Sequence, residues 1–277
     1  MTSISDWCEA EYVEGLMKQD PQKYAPEFHA ASVEAAKQLA CTLDIAYGDH
    51  ERHQLDVFSP ESVGAAPAIL FFHGGYWRRG DKCDRRFLAR KWRARGVAVA
   101  LANYRLAPDA TLLDMIDDAR AAFSFLVDNA QEYSIDPKRI VVAGNSAGAH
   151  LASFAVTGVN EGRAKGLCLQ SGLFDLRPLL HTSMASVLGL DAEIAAAASP
   201  IFAGQAGAPT AVFVGAEETD GFKAQSESFH QLRRAAGLNS VYAELEGRNH
   251  FSIIRDVSDP ESPIGCAIAD LLNRGEG

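Results

Sequence analysis

Several short stretches of the chain are apolar without alternation: 68–72, 97–102, 140–143 and 167–169. Runs of this kind predict strands covered on both faces. Residues 42–47 (TLDIAY) and 54–58 (QLDVF) alternate instead, and Gly48-Asp49-His50-Glu51 lies between them. They predict a half-exposed antiparallel pair at the sheet edge. Two more strands are expected at 210–214 and 241–245. Helical patterns fall at 26–39, 84–95 (with a basic face), 112–127, 222–236 and 263–273. In 112–127, Leu113, Ile116, Ala119, Phe123 and Leu126 form the apolar stripe. Gly237 closes the helix before it. Residues 60–67 read as a loop, Ala107-Pro108 as a break and 134–137 as a turn. Residues 172–207 show no strand–helix rhythm and are read as an insertion or cap.

Strands alternating with helices imply an α/β fold, with a mainly parallel central sheet flanked by helices on both faces. One domain over residues 1–277 is expected, with residues 1–40 as an N-terminal arm. The arm carries Trp7, Tyr12, Tyr24 and Phe28, too many aromatics for a disordered tail. Two places remain open for it: packed on the domain surface, or over the active-site mouth. In a sheet of this kind, ligands meet the loops at the carboxyl ends of the strands.

Composition narrows the classes. Of 277 residues, 47% are apolar, enough for a large core. The net charge is −10 and no basic tract appears, which argues against a nucleic-acid partner. The five cysteines are scattered without a CxxC pair, as isolated reduced thiols would be. There is no signal-peptide start and no run near ~20 apolar residues, so no membrane partner is expected and cytoplasm is the default. No metal-ligand spacing appears, and neither a metal nor a cofactor is expected. A homodimer is left open.

The chemistry gathers around Gly144-Asn145-Ser146-Ala147-Gly148, which fits G-x-S-x-G between a strand and a small-residue helix. In that motif the serine sits on a sharp strained turn, and the flanking glycines let strand and helix nearly touch. A serine hydroxyl needs a base within reach, and the base needs a group to fix its tautomer. His250 follows the last strand and is the expected base. His29, His50, His53, His73, His150, His181 and His230 fit less well by position. The acid is expected in 215–221, after strand 210–214. Glu218 is the first choice, Asp220 the second and Glu217 the third. His73-Gly74-Gly75 follows another strand. The amides of Gly74, Gly75 and Ala147 are the expected oxyanion hole. Tyr76, Trp77, Tyr104 and Asn145 are expected against the substrate, together with segment 172–188.

These pieces resemble α/β-hydrolases of the carboxylesterase type with an HGG oxyanion motif. More narrowly, they resemble the kynurenine formamidase (arylformamidase) group. The matching residues are 43–48, His73-Gly74-Gly75-Tyr76-Trp77, 103–108, 144–151, 172–176 and Asn249-His250-Phe251. The order Ser146, Glu218, His250 is that of the α/β-hydrolases. The resemblance implies acyl transfer from a small ester or amide, with Ser146 as nucleophile, His250 as base and position 218 as acid. Members of the group often carry aspartate at that position, so Asp220 stays in contention. General carboxylesterase action, a different chemistry on the fold such as lyase or thioesterase action, and a non-catalytic binding role are the alternatives.

Overall fold

The computed structural model describes residues 3–60, 64–203 and 206–274. Parts of the expected loop 60–67 (61–63) and insertion 172–207 (204–205) lie outside those residues. Eight strands form one sheet: β1 (Thr42–Ala46), β2 (Gln54–Phe58), β3 (Ala66–Phe72), β4 (Ala98–Ala102), β5 (Ile135–Asn145), β6 (Gly166–Gln170), β7 (Thr210–Gly215) and β8 (Ser240–Leu245). Their order is β1-β2-β4-β3-β5-β6-β7-β8. The β1–β2 and β2–β4 pairs are antiparallel and every other pair is parallel.

The helices are α1 (Ile4–Glu9), α2 (Gly15–Lys18), α3 (Pro21–Gln38), α4 (Ala89–Ala94), α5 (Leu112–Asp128), α6 (Ala147–Ala155), α7 (Met184–Val187), α8 (Ala192–Ala197), α9 (Asp220–Ala235), α10 (Ile254–Val257) and α11 (Pro263–Asn273). A π-helical turn, Ala10–Glu14, joins α1 to α2. Strand side chains alternate between faces. On β3, Leu70 and Phe72 enter one apolar core, and Ile69 and Phe71 enter the other. Helices cover both cores, so the continuous apolar runs have burial on each side.

Several boundaries differ from the sequence pattern. Strand β1 alternates as expected, but β2 is buried along most of its length because Leu55 and Val57 enter one core and Phe58 enters the other. A register shift interrupts β1 between Thr42 and Ile45, with Asp44 at φ 56°. Helix α3 begins at Pro21 and contains Pro26. That proline is the sixth residue of the helix, past the four N-terminal positions without an intrahelical acceptor, so it removes one hydrogen bond, to the Gln22 carbonyl. The basic stretch at 84–95 is a 3₁₀ segment, Lys82–Leu88, followed by α4. The turn expected at 134–137 is confined to Ser134, which has φ 57°, and β5 already runs from Ile135.

Helix α5 starts at a capping box. The Thr111 hydroxyl accepts from Asp114 N–H, and the Asp114 carboxylate accepts from Thr111 N–H. Its buried stripe is Leu112, Ile116, Ala119, Phe123 and Leu126, with Met115 beside it. Leu113 faces outward instead, because 112, 116, 119, 123 and 126 keep the 3.6-residue period and 113 lies about 100° round the helix from the centre of their stripe. The buried leucine, isoleucine and phenylalanine side chains of that stripe each contribute about 1.5–3 kcal/mol of transfer free energy.

Register brings the parallel strands to a common carboxyl edge. Phe72 lies beside Gly144, Asn145 beside Gln170, Gln170 beside Phe213, and Gly215 beside Leu245. The residues that leave this edge are the ones with candidate chemistry.

Candidate active site

Ser146 links β5 to α6 at φ 57° and ψ −123°. A serine there is strained by about 1–3 kcal/mol, and its surroundings must hold it. A Cβ on Gly144 would lie 2.2 Å from the Gly148 carbonyl oxygen, and one on Gly148 would lie 2.0 Å from that of Phe72. Only glycine permits this corner. The Ser146 N–H donates to the Gln170 carbonyl at 2.8 Å, tying the corner to β6. Ala147 opens α6, and the first amides of a helix have no intrahelical partner and carry its positive dipole end.

On the neighbouring strand ends, Glu218 and His250 meet. His250 Nδ1 lies 2.7 Å from Glu218 Oε2. The other carboxylate oxygen, Oε1, accepts from the Ser171 hydroxyl at 2.6 Å and from Gly215 N–H at 2.7 Å. Glu218 is thereby fixed at both oxygens. A carboxylate on Nδ1 fixes the imidazole tautomer and leaves Nε2 as the basic nitrogen. Ser146, Glu218 and His250 are 4%, 5% and 3% exposed. Glu217 and Asp220, the competing acids, are both exposed.

The segment from His73 to Trp77 lies over the serine corner. A Cβ on Gly74 would come within 3.2 Å of Ser146 Cβ and 2.9 Å of the Asn145 carbonyl oxygen. Gly75, Tyr76 and Trp77 all have positive φ, at 128°, 57° and 56°. Gly75 takes that conformation freely, but two strained non-glycine residues in a row need anchors. Ala107 N–H donates to the Trp77 carbonyl at 2.8 Å, Trp77 Nε1 donates to His150 Nδ1 at 3.2 Å, and the Tyr104 hydroxyl donates to the His73 carbonyl at 2.8 Å. Trp77 and Tyr104 are 0% exposed. Both brace the loop from inside and present no surface to a ligand in this conformation. The Tyr76 hydroxyl donates to the Tyr12 carbonyl in the arm at 2.6 Å. Asn145, also buried, lies against Gly74.

Residues 55–178 match the BD-FAE family. A kynurenine formamidase from Salmo salar is 30% identical over 256 residues, covering 87% of this chain and 85% of the relative. One from Danio rerio is 29% identical over 282 residues, covering 92% and 94%. The chain belongs to the kynurenine formamidase family of α/β-hydrolases. A solved Silicibacter chain with a provisional thioesterase label is 31% identical, with a TM-score of 0.83 and coverage of 94% and 99%. The EstE1 carboxylesterase, at 21% identity and a TM-score of 0.71, covers 92% of this chain and 97% of its own and shares the fold. The protein is accordingly a hydrolase of the α/β-hydrolase type.

Within this α/β-hydrolase, some contributors to the site have no motif. Ser171 is one, with φ 51° and its hydroxyl on Glu218. Its signal was its place directly after β6, at the same carboxyl edge as the others. Arm residues Glu11 and Gln19 are further examples and lack any local signal, whereas Tyr12 was one of the aromatics that marked the arm. Among the described residues no group of three or more His, Cys, Asp or Glu is arranged to hold a metal ion. None of the described helices is long and apolar enough to cross a membrane.

Two histidines near the site are held neutral. Burial pushes both His73 and His150 down to about 4. His73 Nδ1 lies 2.8 Å from the Gly74 carbonyl oxygen, and His150 Nε2 lies 2.7 Å from that of Ala198. In the unfolded chain each titrates near 6.5. Between pH 6.5 and 4 the unfolded chain binds protons that the fold refuses. Their contribution to stability is therefore complete above about pH 6.5 and falls as pH drops towards 4. The melting temperature should decline across that window. A melting temperature that stays flat from pH 6.5 to 4.5 would contradict the neutral assignment.

Proposed function

We propose that the protein is a serine hydrolase that cleaves a small aryl formamide or ester through an acyl-enzyme. The observation that carries this reading is the fixed Ser171–Glu218–His250 chain at the same carboxyl edge of the sheet as a strained serine at the start of α6. Ser146 Oγ attacks the carbonyl carbon while His250 Nε2 takes its proton. Glu218 holds the imidazolium that forms. The tetrahedral oxyanion is received by the amides of Gly74, Gly75 and Ala147, each such donor contributing about 2.7–4 kcal/mol in the transition state. His250 then protonates the leaving nitrogen or oxygen as its bond to the acyl carbon breaks. Water, deprotonated by the same histidine, attacks the acyl-serine and releases the acid. For a formamide that acid is formate.

The substrate class follows from the fish relatives, which are kynurenine formamidases. General carboxylesterase or thioesterase action is the second reading, and the Silicibacter neighbour favours its thioesterase form. A panel of N-formylkynurenine, p-nitrophenyl acetate and an acyl thioester separates them. The formamide should have a kcat/KM at least about tenfold above the others, equivalent to ~1.4 kcal/mol of transition-state preference. Preference for an ester or thioester would establish the second reading. Failure to turn over any of them, with no fluorophosphonate adduct on Ser146, would leave a binding protein.

A further inference from the structure

The N-terminal arm reaches all three loops of the proposed site. Its π-helical turn closes with Gly15 N–H donating to the Ala10 carbonyl, five residues back. A widened turn of this kind frees carbonyls for outside donors, and π-turns recur at functional sites. The Glu11 carbonyl accepts from the Thr219 hydroxyl at 2.8 Å, one residue after Glu218. The Glu11 carboxylate accepts from Gly221 N–H at 2.6 Å. The next carbonyl, that of Tyr12, accepts from Tyr76 beside the glycine pair. Further along, Gln19 Oε1 accepts from the main-chain N–H of His250 at 2.8 Å.

The packing is close enough to transmit these constraints. A Cβ on Gly15 would lie 2.4 Å from Thr219 Cγ2, and one on Gly221 would lie 3.0 Å from the Tyr12 ring. The Tyr12 ring packs on Phe222 at 5.8 Å, and Phe222 packs edge-on against the His250 ring at 4.7 Å. Simple surface packing would account for the apolar contacts. It does not account for four polar links to the three loops proposed to carry the base, the acid and the oxyanion amides.

We propose that this arm is a positioning clamp, with Gln19 as the positioning residue that sets the His250 loop. The proposal rests on the serine-hydrolase reading. It does not place Gln19 in contact with substrate. Its role is to hold a proton-transfer geometry in which about 1 Å of misplacement can cost two orders of magnitude in rate.

The test compares full-length wild type, Gln19→Leu and Gln19→Glu with p-nitrophenyl acetate, and follows the rate of fluorophosphonate labelling. Gln19→Leu removes the acceptor at nearly constant volume. It should lower kcat and the labelling rate together by about tenfold or more, with KM within about twofold. Gln19→Glu keeps an acceptor and should restore kcat to within about threefold of wild type. If the leucine variant does not fold, Gln19→Asn shortens the reach by one methylene and should show the same loss. A reactive wild type with an indifferent Gln19→Leu overturns the clamp alone. So does an equal loss in Gln19→Glu, which would assign the effect to packing. A wild type that neither turns over nor labels overturns the hydrolase reading, and the clamp with it.

Discussion

Replacing Ser146 with alanine should lower kcat by about 10⁴-fold or more and leave the melting temperature nearly unchanged. The size follows from removing the proposed nucleophile of a unit whose members act together. The small structural cost follows from the local geometry. The Ser146 side chain makes no capping bond to α6, so its hydroxyl is not needed to start that helix. Alanine has the same β-carbon at the same φ of 57°, so the strain is neither relieved nor increased. The main-chain bond to Gln170 persists. Turnover that survives the substitution, measured on protein free of wild-type contamination, would exclude the nucleophile assignment.

The second large effect separates Glu218 from Asp220. Glu218→Ala should lower kcat by about 10³–10⁴-fold, because the imidazole loses the group that fixes its tautomer and supports its charge. It should also destabilise the fold. Ser171, Gly215 and His250 would each lose the acceptor their buried donors now use, at about 1–3 kcal/mol per unsatisfied group. Glu218→Gln keeps the volume and should lower kcat with a smaller change in stability. Asp220→Ala should stay within about twofold of wild type, since its side chain is 93% exposed at the start of α9. Kinetics and melting curves of these variants decide the matter. An inactive Asp220→Ala beside an active Glu218→Ala would reverse the assignment.

Much of the framework was legible because burial on both faces leaves a plain trace. Strands such as 68–72 and 167–169 must be apolar throughout when helices cover each side. The serine corner was legible for a steric reason, since Gly144 and Gly148 have no alternative there. Glu218 was harder. Its selection over Asp220 depends on where the chain turns after β7, and three carboxylates within four positions look alike to a pattern. The α5 stripe shows a finer limit. Leu112 and Leu113 are both apolar, and only the packed helix shows which one faces the core. The arm was least legible. Gln19 is an ordinary polar residue near a proline, and its bond to His250 spans 231 positions of the chain. No local pattern encodes a contact of that range. Trp77 and Tyr104 show the converse: they are aromatics beside a motif whose position fits either a ligand wall or an internal brace.

The irregular outer strand has a consequence for the protein in concentrated solution. An open strand with all its amides in register invites another chain to add alongside. Here the register breaks at β1, Asp44 turns into the left-handed region, and its N–H is already given to the Asp56 side chain at 2.9 Å. A half-exposed carboxylate at that point, drawn to Lys82, adds charge to the flank. Such a margin offers a poor template for fibre growth, and regularising it by mutation should make the protein more prone to aggregate.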